Sequence, residues 1–519
     1  MAAEQLLASF ISGTGYSDLD EETVATVKRQ LVAFYGALIA GSSTGAAAAA
    51  GFVCDMGGKP EATVFVKGGK VPAHQAAFAN AAMGRALDID DHIAPGAHIG
   101  GAVIPAAFAA AELAGGCSGK DFIAAVAAGT ETSVRLMRRE ADYAGFDPTG
   151  VTAVFSSAAA SSKLLGLDEA QIRNALGLAS DKSGASFQHF IDGVLAGPVM
   201  QGWVAAAGVE CARLTQYKIT GTVNFLEGVY GYFNLFGRGG AGSQHAGGES
   251  EVGSQHAGGL GESDALRVTG GEAGSQHAGG LGESEGEAGV LSEAGCEADA
   301  LLGAGCETDA LRVTGGLGKE WRMKGLNFKK YPSCGNTQSS TELILNMAEE
   351  HGFTADDVAR IEILMPPYAF NLVGHDFKIG ENPRVDAQFN VAYCVANALM
   401  RAPVTLAHFK AEQVCDPGIA SFIKEKVTVV SEPAVDRGHY SVDIRVWTKG
   451  GKEFCGQTDI PPGTPANPMT SAEHRSRFFD CVSFSGTPWF EGREEDILGF
   501  IGALEEQADV REMVRLFLP

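Results

Sequence analysis

The sequence lacks the cysteine patterns that mark zinc sites and disulfide frameworks. Its ten cysteines are scattered, with no CxxC pair and no compact spacing of cysteine and histidine. This absence excludes the usual structural zinc modules. It predicts reduced thiols and a cytoplasmic location, because disulfides are rare in reducing compartments.

Runs of basic residues are absent as well. The chain has 39 Lys and Arg residues against 63 Asp and Glu residues, which gives a formal net charge of −24. Proteins that bind nucleic acids neutralise phosphates with clustered Lys and Arg side chains. We therefore expect no nucleic-acid partner.

Long apolar runs are also missing. No uninterrupted apolar stretch reaches the roughly 18 residues of a membrane-spanning helix, and the opening MAAEQLLASF has no basic leader. We expect a soluble protein without a membrane partner. The 519 residues are enough for two or three domains with large cores.

Alanine-rich segments with helical periodicity fill the first half of the chain. In 21–40, Val24, Val27, Leu31 and Leu38 recur at the spacing of one helix face. Small side chains let helices pack closely, so these segments predict an all-α domain. The further helices predicted here are 73–86, 103–114, 120–138, 152–165, 169–178 and 202–215.

Runs of β-branched residues after residue 317 predict a smaller α+β domain. From 471 to 519 the pattern is helical again, with Ser471 as the candidate N-cap. We therefore predict two domains, 1–238 plus 465–519 and 317–464. The elements predicted in the α+β domain are strands 360–364, 426–430, 439–448 and 453–460, the last two forming a hairpin, and helices 339–350 and 388–399.

Residues 239–316 differ in kind from the rest. GSQHAGG occurs three times and DALRVTGG twice, and 13 acidic residues against two basic ones supply −11 of the net charge. Such Gly-, Glu- and Ser-rich sequence buries too little apolar surface to offset its ordering entropy, so we predict a disordered insertion. A solenoid is the alternative, and His245, His256 and His277 raise the alternative of metal binding.

The densest set of reactive side chains lies in LDIDDHIAPGAHIGG, residues 87–101. Asp88, Asp90, Asp91, His92 and His98 fall in a break between two helices. An imidazole beside a carboxylate is a usable general acid or base near neutral pH. The cluster therefore predicts a catalytic site, with helix capping or a Mg²⁺ or Ca²⁺ site as alternatives.

A second candidate lies in FKKYPSCGNTQ, residues 328–338. Lys329 and Lys330, next to a rigid corner at Tyr331, can place ammonium groups on a substrate carboxylate. A solvated basic loop is the alternative. Cys334 is a candidate nucleophile, although the sequence offers no local histidine partner.

The dipeptide Gln188-His189 is a weaker signal. His189 either faces the same pocket or is a satisfied core histidine, and the sequence does not separate the two. We retain both residues as candidates for substrate binding.

The chain resembles the MmgE/PrpD family, which includes 2-methylcitrate dehydratase, cis-aconitate decarboxylase and iminodisuccinate epimerase. The segments that carry the resemblance are ALDIDDHIAPGAHIGGAVIPAAFAAAE, SSAAASSKLLGL, GWVAAAGVECARL, LGKEWRMKGLNFKKYPSCG and DAQFNVAYCVANAL. Without the insertion the resemblance covers nearly the whole chain.

The resemblance implies a helical domain and a smaller α+β domain with the site at their junction, no metal or organic cofactor, and a homodimer. Asp88, His98 and Lys329 match the family's catalytic positions. His92 stands where members often carry threonine. The resemblance also extends the set of substrate-binding candidates, which becomes Asp91, His92, Gln188, His189, Lys330, Tyr331, Cys334 and Gln338.

The chain departs from the family pattern at Asp147, Gly197, Met200 and Gln338, where relatives carry histidine or lysine. Each lost cation removes a partner for a substrate carboxylate. The expected function is a lyase that moves a proton next to a carboxylate of a small di- or tricarboxylate. An epimerase of a dicarboxylate such as iminodisuccinate and a non-catalytic carboxylate-binding protein are the alternatives.

Overall fold

The computed structural model describes residues 2–139, 142–143, 145–237 and 309–518. Helices dominate these residues, and a small sheet lies in the C-terminal part. Residues 239–308 of the predicted insertion lie outside the described residues. The three histidines of the repeats fall within that range.

The helices of the N-terminal half follow the predicted Ala-rich segments closely. Their bounds are α1 (Ala3–Gly13), α2 (Glu21–Gly41), α3 (Ala48–Met56), α4 (Ala73–Arg85), α5 (Gly100–Leu113), α6 (Gly119–Leu136), α7 (Pro148–Leu164), α8 (Glu169–Ser180), α9 (Gln188–Ile191), α10 (Ala196–Gln216) and α11 (Tyr232–Leu235).

Helix α5 is the centre of this half. Every residue from Gly100 to Glu112 is buried, as expected of a helix that is apolar on all sides. Helices α4, α6, α7 and α10 surround it. Helices α2 and α4 also pack closely. A Cβ added at Gly41 of α2 would lie 1.9 Å from the Met83 carbonyl oxygen of α4.

The C-terminal half contains shorter helices and most of the strands. The helices are α12 (Asp309–Thr314), α13 (Gly335–His351), α14 (Pro367–Val373), α15 (Pro383–Gln388), α16 (Val391–Arg401), α17 (Ala411–Val414), α18 (Pro417–Lys426), α19 (Ser471–Ser485), α20 (Glu494–Gly502) and α21 (Val514–Phe517). The strands of the chain are β1 (Ala62–Thr63), β2 (Lys70–Val71), β3 (Asp91–His92), β4 (Asn327–Phe328), β5 (Val358–Met365), β6 (Val427–Ser431), β7 (Val442–Thr448) and β8 (Glu453–Thr458).

The four predicted strands are confirmed as one sheet of order β6-β5-β7-β8. Strand β6 is parallel to β5, and the other pairs are antiparallel. The predicted hairpin is the β7–β8 pair, in which Val442 lies opposite Thr458. One apolar cluster covers this sheet and helices α13, α16 and α18.

Three predicted boundaries are wrong. The N-cap of α19 is Thr470, whose side chain accepts from the Glu473 amide, and Ser471 is the first helical residue. The helix predicted over 388–399 is interrupted because Asn390 is the N-cap of α16, which begins at Val391, and its side chain accepts from the Tyr393 amide. The third error concerns the end of the insertion at 316.

Residues 309–316 belong to the folded part of the protein. Val313 of α12 is fully buried in a cluster with residues of α1, α7 and α10. The Arg312 guanidinium donates to the Met137 carbonyl at 2.6 Å. Val313 therefore anchors this segment in the core, whereas Leu311 is 55% exposed.

No single helix among the described residues is long and apolar enough to cross a membrane. One pair, Glu21–Gly41 with Gly45–Met56, meets the criterion only when the two are taken together, and it is bent by 90°.

Candidate active site

Two short strands bring the acid-rich loop and the lysine loop together. In the antiparallel pair β3–β4, Asp91 lies opposite Phe328 and His92 opposite Asn327. Lys329 follows directly, with Nζ 2.6 Å from Asp88 Oδ2 and donating to the Asp88 carbonyl at 2.9 Å. Both candidate segments therefore face one small region.

The two histidines of the cluster face each other across a tight loop. Ile93 and Ala97 exchange both backbone hydrogen bonds at 2.9 Å, which returns the chain so that the His92 and His98 rings stack with centroids 6.0 Å apart. Residue 335 must be small here, because a Cβ at Gly335 would lie 2.9 Å from His92 Nε2.

Asp88 is the electrostatic centre of the site. It is buried, its φ of 55° lies in the left-handed region that Asp tolerates better than most residues, and its carboxylate also accepts from the Arg85 guanidinium. Burial alone would raise the pKa of Asp88, but Lys329, Arg85 and His98 lower that pKa to about 2. Asp88 is therefore ionised and held between two cations.

His98 has Asp90 as its nearest carboxylate. His98 Nδ1 lies 2.9 Å from Asp90 Oδ1, whereas Nε2 lies 3.5 Å from Asp88 Oδ1. Burial, together with Arg85 and Lys329, holds the pKa of His98 well below its usual range. The imidazole is therefore neutral at pH 7, and Nε2 is left to accept a proton when Nδ1 donates to Asp90.

The backbone around His98 is fixed by two further contacts. Its amide donates to Thr149 Oγ1 at 3.0 Å, and its carbonyl accepts from Gln201 Nε2 at 3.0 Å. Neither contact was predicted, because helices α7 and α10 supply them from distant parts of the chain.

His92 faces a tyrosine of the other half of the chain. Its Nε2 lies 3.3 Å from the Tyr440 hydroxyl. Burial, Lys329 and His98 hold the pKa of His92 well below its usual range. His92 and His98 are thus both neutral imidazoles rather than imidazolium ions.

The cluster opens into a cavity of about 50 Å³, smaller than the few hundred Å³ of typical small-molecule pockets. Its lining includes Arg85, Asp88, His92, His98, Phe190, Lys329, Cys334, Asn336 and Tyr440.

Several predicted substrate-binding residues lie outside this cavity. Lys330 pairs with Glu342 at 3.0 Å and with Glu473 at 2.9 Å. The Tyr331 hydroxyl donates to Glu342. Gln338 accepts from the Tyr331 amide at 2.9 Å and donates to its carbonyl at 3.0 Å, which fixes the corner that carries Lys329.

Asp91 also points away from the cavity. Its Oδ2 accepts from the Gly100 amide at 3.1 Å and from Gln30 at 3.0 Å, so it caps the start of α5. Burial and the neighbouring Asp90 raise the pKa of Asp91 to about 7. Its contacts are those of a structural cap.

Neither Gln188 nor His189 lines the cavity. Gln188 is exposed and donates to Asp192. His189 Nε2 lies 3.4 Å from Asp147 Oδ2, and a Cβ at Gly197 would touch its ring at 2.9 Å. His189 lines a separate groove of about 730 Å³ and not the cavity.

Cys334 lines the cavity, but its side chain is a protonated thiol rather than a thiolate. Burial and Asp88 raise the pKa of Cys334. A protonated thiol is a poor nucleophile, which favours a packing role over the nucleophilic one.

One group of donors in the described residues has the geometry for a metal ion. Asp88, Asp90 and His98 each offer one donor atom, all within 4.8 Å of one another. However, Lys329 and Arg85 already contact the Asp88 carboxylate, and two positive charges there oppose a bound cation. The donor set therefore fits ion pairing and proton transfer better than metal binding.

Comparisons with known proteins match both halves of the chain. The model for the MmgE/PrpD N-terminal domain matches residues 5–244, and that for the MmgE/PrpD C-terminal domain matches residues 331–497. The chain is 33% identical to human cis-aconitate decarboxylase and 31% identical to the Mus musculus protein, each over 165 residues.

Those two alignments cover 30% of this chain and 34% and 33% of the relatives, so the chain spans about a third of the length of these curated relatives. A longer alignment links it to a cis-aconitate decarboxylase-like protein of Aspergillus oryzae. There the identity is 24% over 460 residues, covering 85% of this chain and 81% of that protein.

Proposed function

The chain belongs to the MmgE/PrpD family, and on this premise we propose that it is a lyase acting on a small di- or tricarboxylate. The reaction is proton transfer at the carbon next to a carboxylate, without a cofactor. One observation carries the proposal: a neutral His98 is held by Asp90 beside two buried cations, Lys329 and Arg85.

His98 Nε2 is the atom that exchanges the proton. In a dehydration it takes the proton from carbon, the C–H electron pair forms the double bond, and the β-hydroxyl leaves as water once protonated. In a decarboxylation the C–CO₂⁻ bond breaks and releases CO₂, and the carbanion takes a proton that His98 Nε2 has first taken up from solvent. Both routes place negative charge next to a carboxylate, where Lys329 stabilises it.

The surroundings support a dicarboxylate over a tricarboxylate. At the positions where the family pattern supplies further cations, Asp147 pairs with His189 and Met200 is buried in the apolar core. The cavity is also small. Fewer cations and less room both favour the smaller anion.

The test is turnover of a panel of four- to six-carbon di- and tricarboxylates in H₂O and in D₂O. Net formation of an alkene or of CO₂ supports the lyase. Deuterium entering at the carbon next to the carboxylate without net product would instead identify an epimerase. No exchange with any carboxylate, despite measurable binding, would identify a binding protein.

The homodimer also stays a proposal. Exposed apolar side chains surround the 730 Å³ groove between α3, α4 and α10, among them Phe52, Met56 and Trp203, with 58%, 57% and 61% of their surface exposed. Such patches mark association sites. Light scattering on wild type and Trp203→Glu should show a dimer and a weakened dimer.

A further inference from the structure

Arg85 is a buried cation that the motif-based reasoning did not select. It ends helix α4, and only 4% of its surface is exposed. Its Nη1 donates to Asp88 and lies 3.9 Å from Asp90 Oδ1, and the guanidinium stands 5.0 Å from the Phe190 ring centre. Arg85 also lines the cavity beside His98.

The hydrogen bonds of this guanidinium are incomplete. Its buried Nε has no hydrogen-bond partner among the described residues. A buried donor left without a partner is destabilising, so such a group needs an explanation. The planar fork of an arginine matches the two oxygens of a carboxylate, which lysine cannot do.

The contacts of Asp88 leave this donor available. One Asp88 oxygen accepts from Arg85 Nη1 and the other lies 2.6 Å from Lys329 Nζ. Asp88 therefore orients the guanidinium through one edge, and Phe190 packs against its face. Nε is left without a partner on a residue that lines the cavity.

We propose that Arg85 binds a substrate carboxylate through Nε and determines the preference for a dicarboxylate over a monocarboxylate. The inference rests on the proposed function for its substrate class. It assigns Lys329 to the reacting end of the substrate and Arg85 to the far carboxylate.

The experiment compares two ligands that differ in one charge. Succinate and its monoamide, succinamate, have nearly the same size, and calorimetry gives the affinity of each. Wild type should bind succinate at least about tenfold more tightly, as one charge-assisted hydrogen-bond pair implies. Arg85→Gln should lose affinity for succinate alone, so that the ratio falls to about two or less.

Three comparisons keep the result interpretable. Arg213→Gln, which breaks an arginine–carboxylate pair with Glu61 outside the cavity, should leave the ratio unchanged. Arg85→Lys keeps a charge for Asp88 but lacks the fork, and it decides the question if the Gln variant does not fold. Its ratio should also fall, with KM for the turned-over dicarboxylate rising more than kcat drops.

Equal loss of affinity for both ligands would show that Arg85 only supports the site, and would overturn the proposal. So would a wild-type protein that binds both ligands equally or binds neither. If the ratio behaves as predicted but no carboxylate is turned over, the lyase is rejected and the Arg85 site stands. Turnover with an unchanged ratio in Arg85→Gln rejects the Arg85 site alone.

Discussion

Asp90 Oδ1 lies 2.9 Å from His98 Nδ1, and both side chains are buried. The contact fixes the ring with Nε2 toward Asp88. The Asp88 carboxylate is occupied by Lys329 and Arg85 instead. The two carboxylates therefore have different roles. Asp90 orients the base His98, and Asp88 pairs with the two cations.

The first prediction concerns this orienting bond. In Asp90→Asn the amide can donate to Nδ1, which favours the tautomer with the proton on Nε2 and removes the base. We expect kcat to fall by about 10²-fold or more, measured by product formation. Asp91→Asn is the matched control, since Asp91 is equally buried but caps α5, and its kcat should stay within about threefold. Equal losses in both variants would contradict the assignment.

The second prediction separates the two adjacent lysines. Lys329→Gln leaves buried Asp88 with one cation fewer, so turnover should be lost, and the free energy of unfolding should fall by roughly 3 kcal/mol. Lys330→Gln breaks half-exposed ion pairs with Glu342 and Glu473 and should cost less than about 1 kcal/mol. Steady-state kinetics and urea unfolding measure both. A greater loss of turnover in the Lys330 variant would overturn the placement.

The third prediction uses the raised pKa of Asp91. The folded-state pKa of about 7 lies above the usual value of 3.8, so the folded state binds the proton more tightly. This contribution to stability is present below about pH 4 and is lost as the pH rises to 7. The neutral side chain of Asp91→Asn has no such loss.

The variant should therefore gain stability relative to wild type between pH 4 and pH 7, by a few kcal/mol, with a constant difference above pH 7. Urea unfolding at a series of pH values measures the difference. A difference that does not change with pH would mean that Asp91 titrates normally.

The fourth prediction corrects the boundary of the insertion. Arg138 Nη1 lies 3.1 Å from Asp309 Oδ2, and a Cβ at Gly237 would lie 3.0 Å from Arg138 Nη2. The two described ends therefore meet at one side chain. Replacing 239–308 by a short linker should leave the melting temperature within a few degrees of wild type.

Deleting 239–316 in the same way also removes α12, with buried Val313 and Arg312. That deletion should destabilise the protein by roughly 3 kcal/mol or more. If both deletions melt alike, α12 contributes nothing to the core.

The helices were largely predictable from the sequence, because Ala-rich periodic segments have one low-energy conformation and a face to bury. The four strands of the sheet were predictable because their runs of β-branched residues favour extended backbone. The insertion boundary was not, since DALRVTGG occurs twice and only packing distinguishes the second copy.

The contents of the site were predictable, but its contacts were less so. Asp88, His98 and Lys329 meet through β3 and β4, strands of two residues that carry no periodic signal. Asp90 was visible in the cluster, yet the order of Asp88, Asp90 and Asp91 along the chain does not say which carboxylate faces the His98 imidazole. Arg85 had only one signal, a basic residue three positions before Asp88 at the end of a helix.

The most direct test of the central claim is deuterium exchange by wild type and His98→Ala in D₂O, with a substrate that wild type turns over. The account predicts that wild type incorporates deuterium at the carbon next to the carboxylate. His98→Ala, with an unchanged circular dichroism spectrum, should show neither exchange nor turnover. Exchange at the wild-type rate in His98→Ala would contradict the account, because another group would then move the proton.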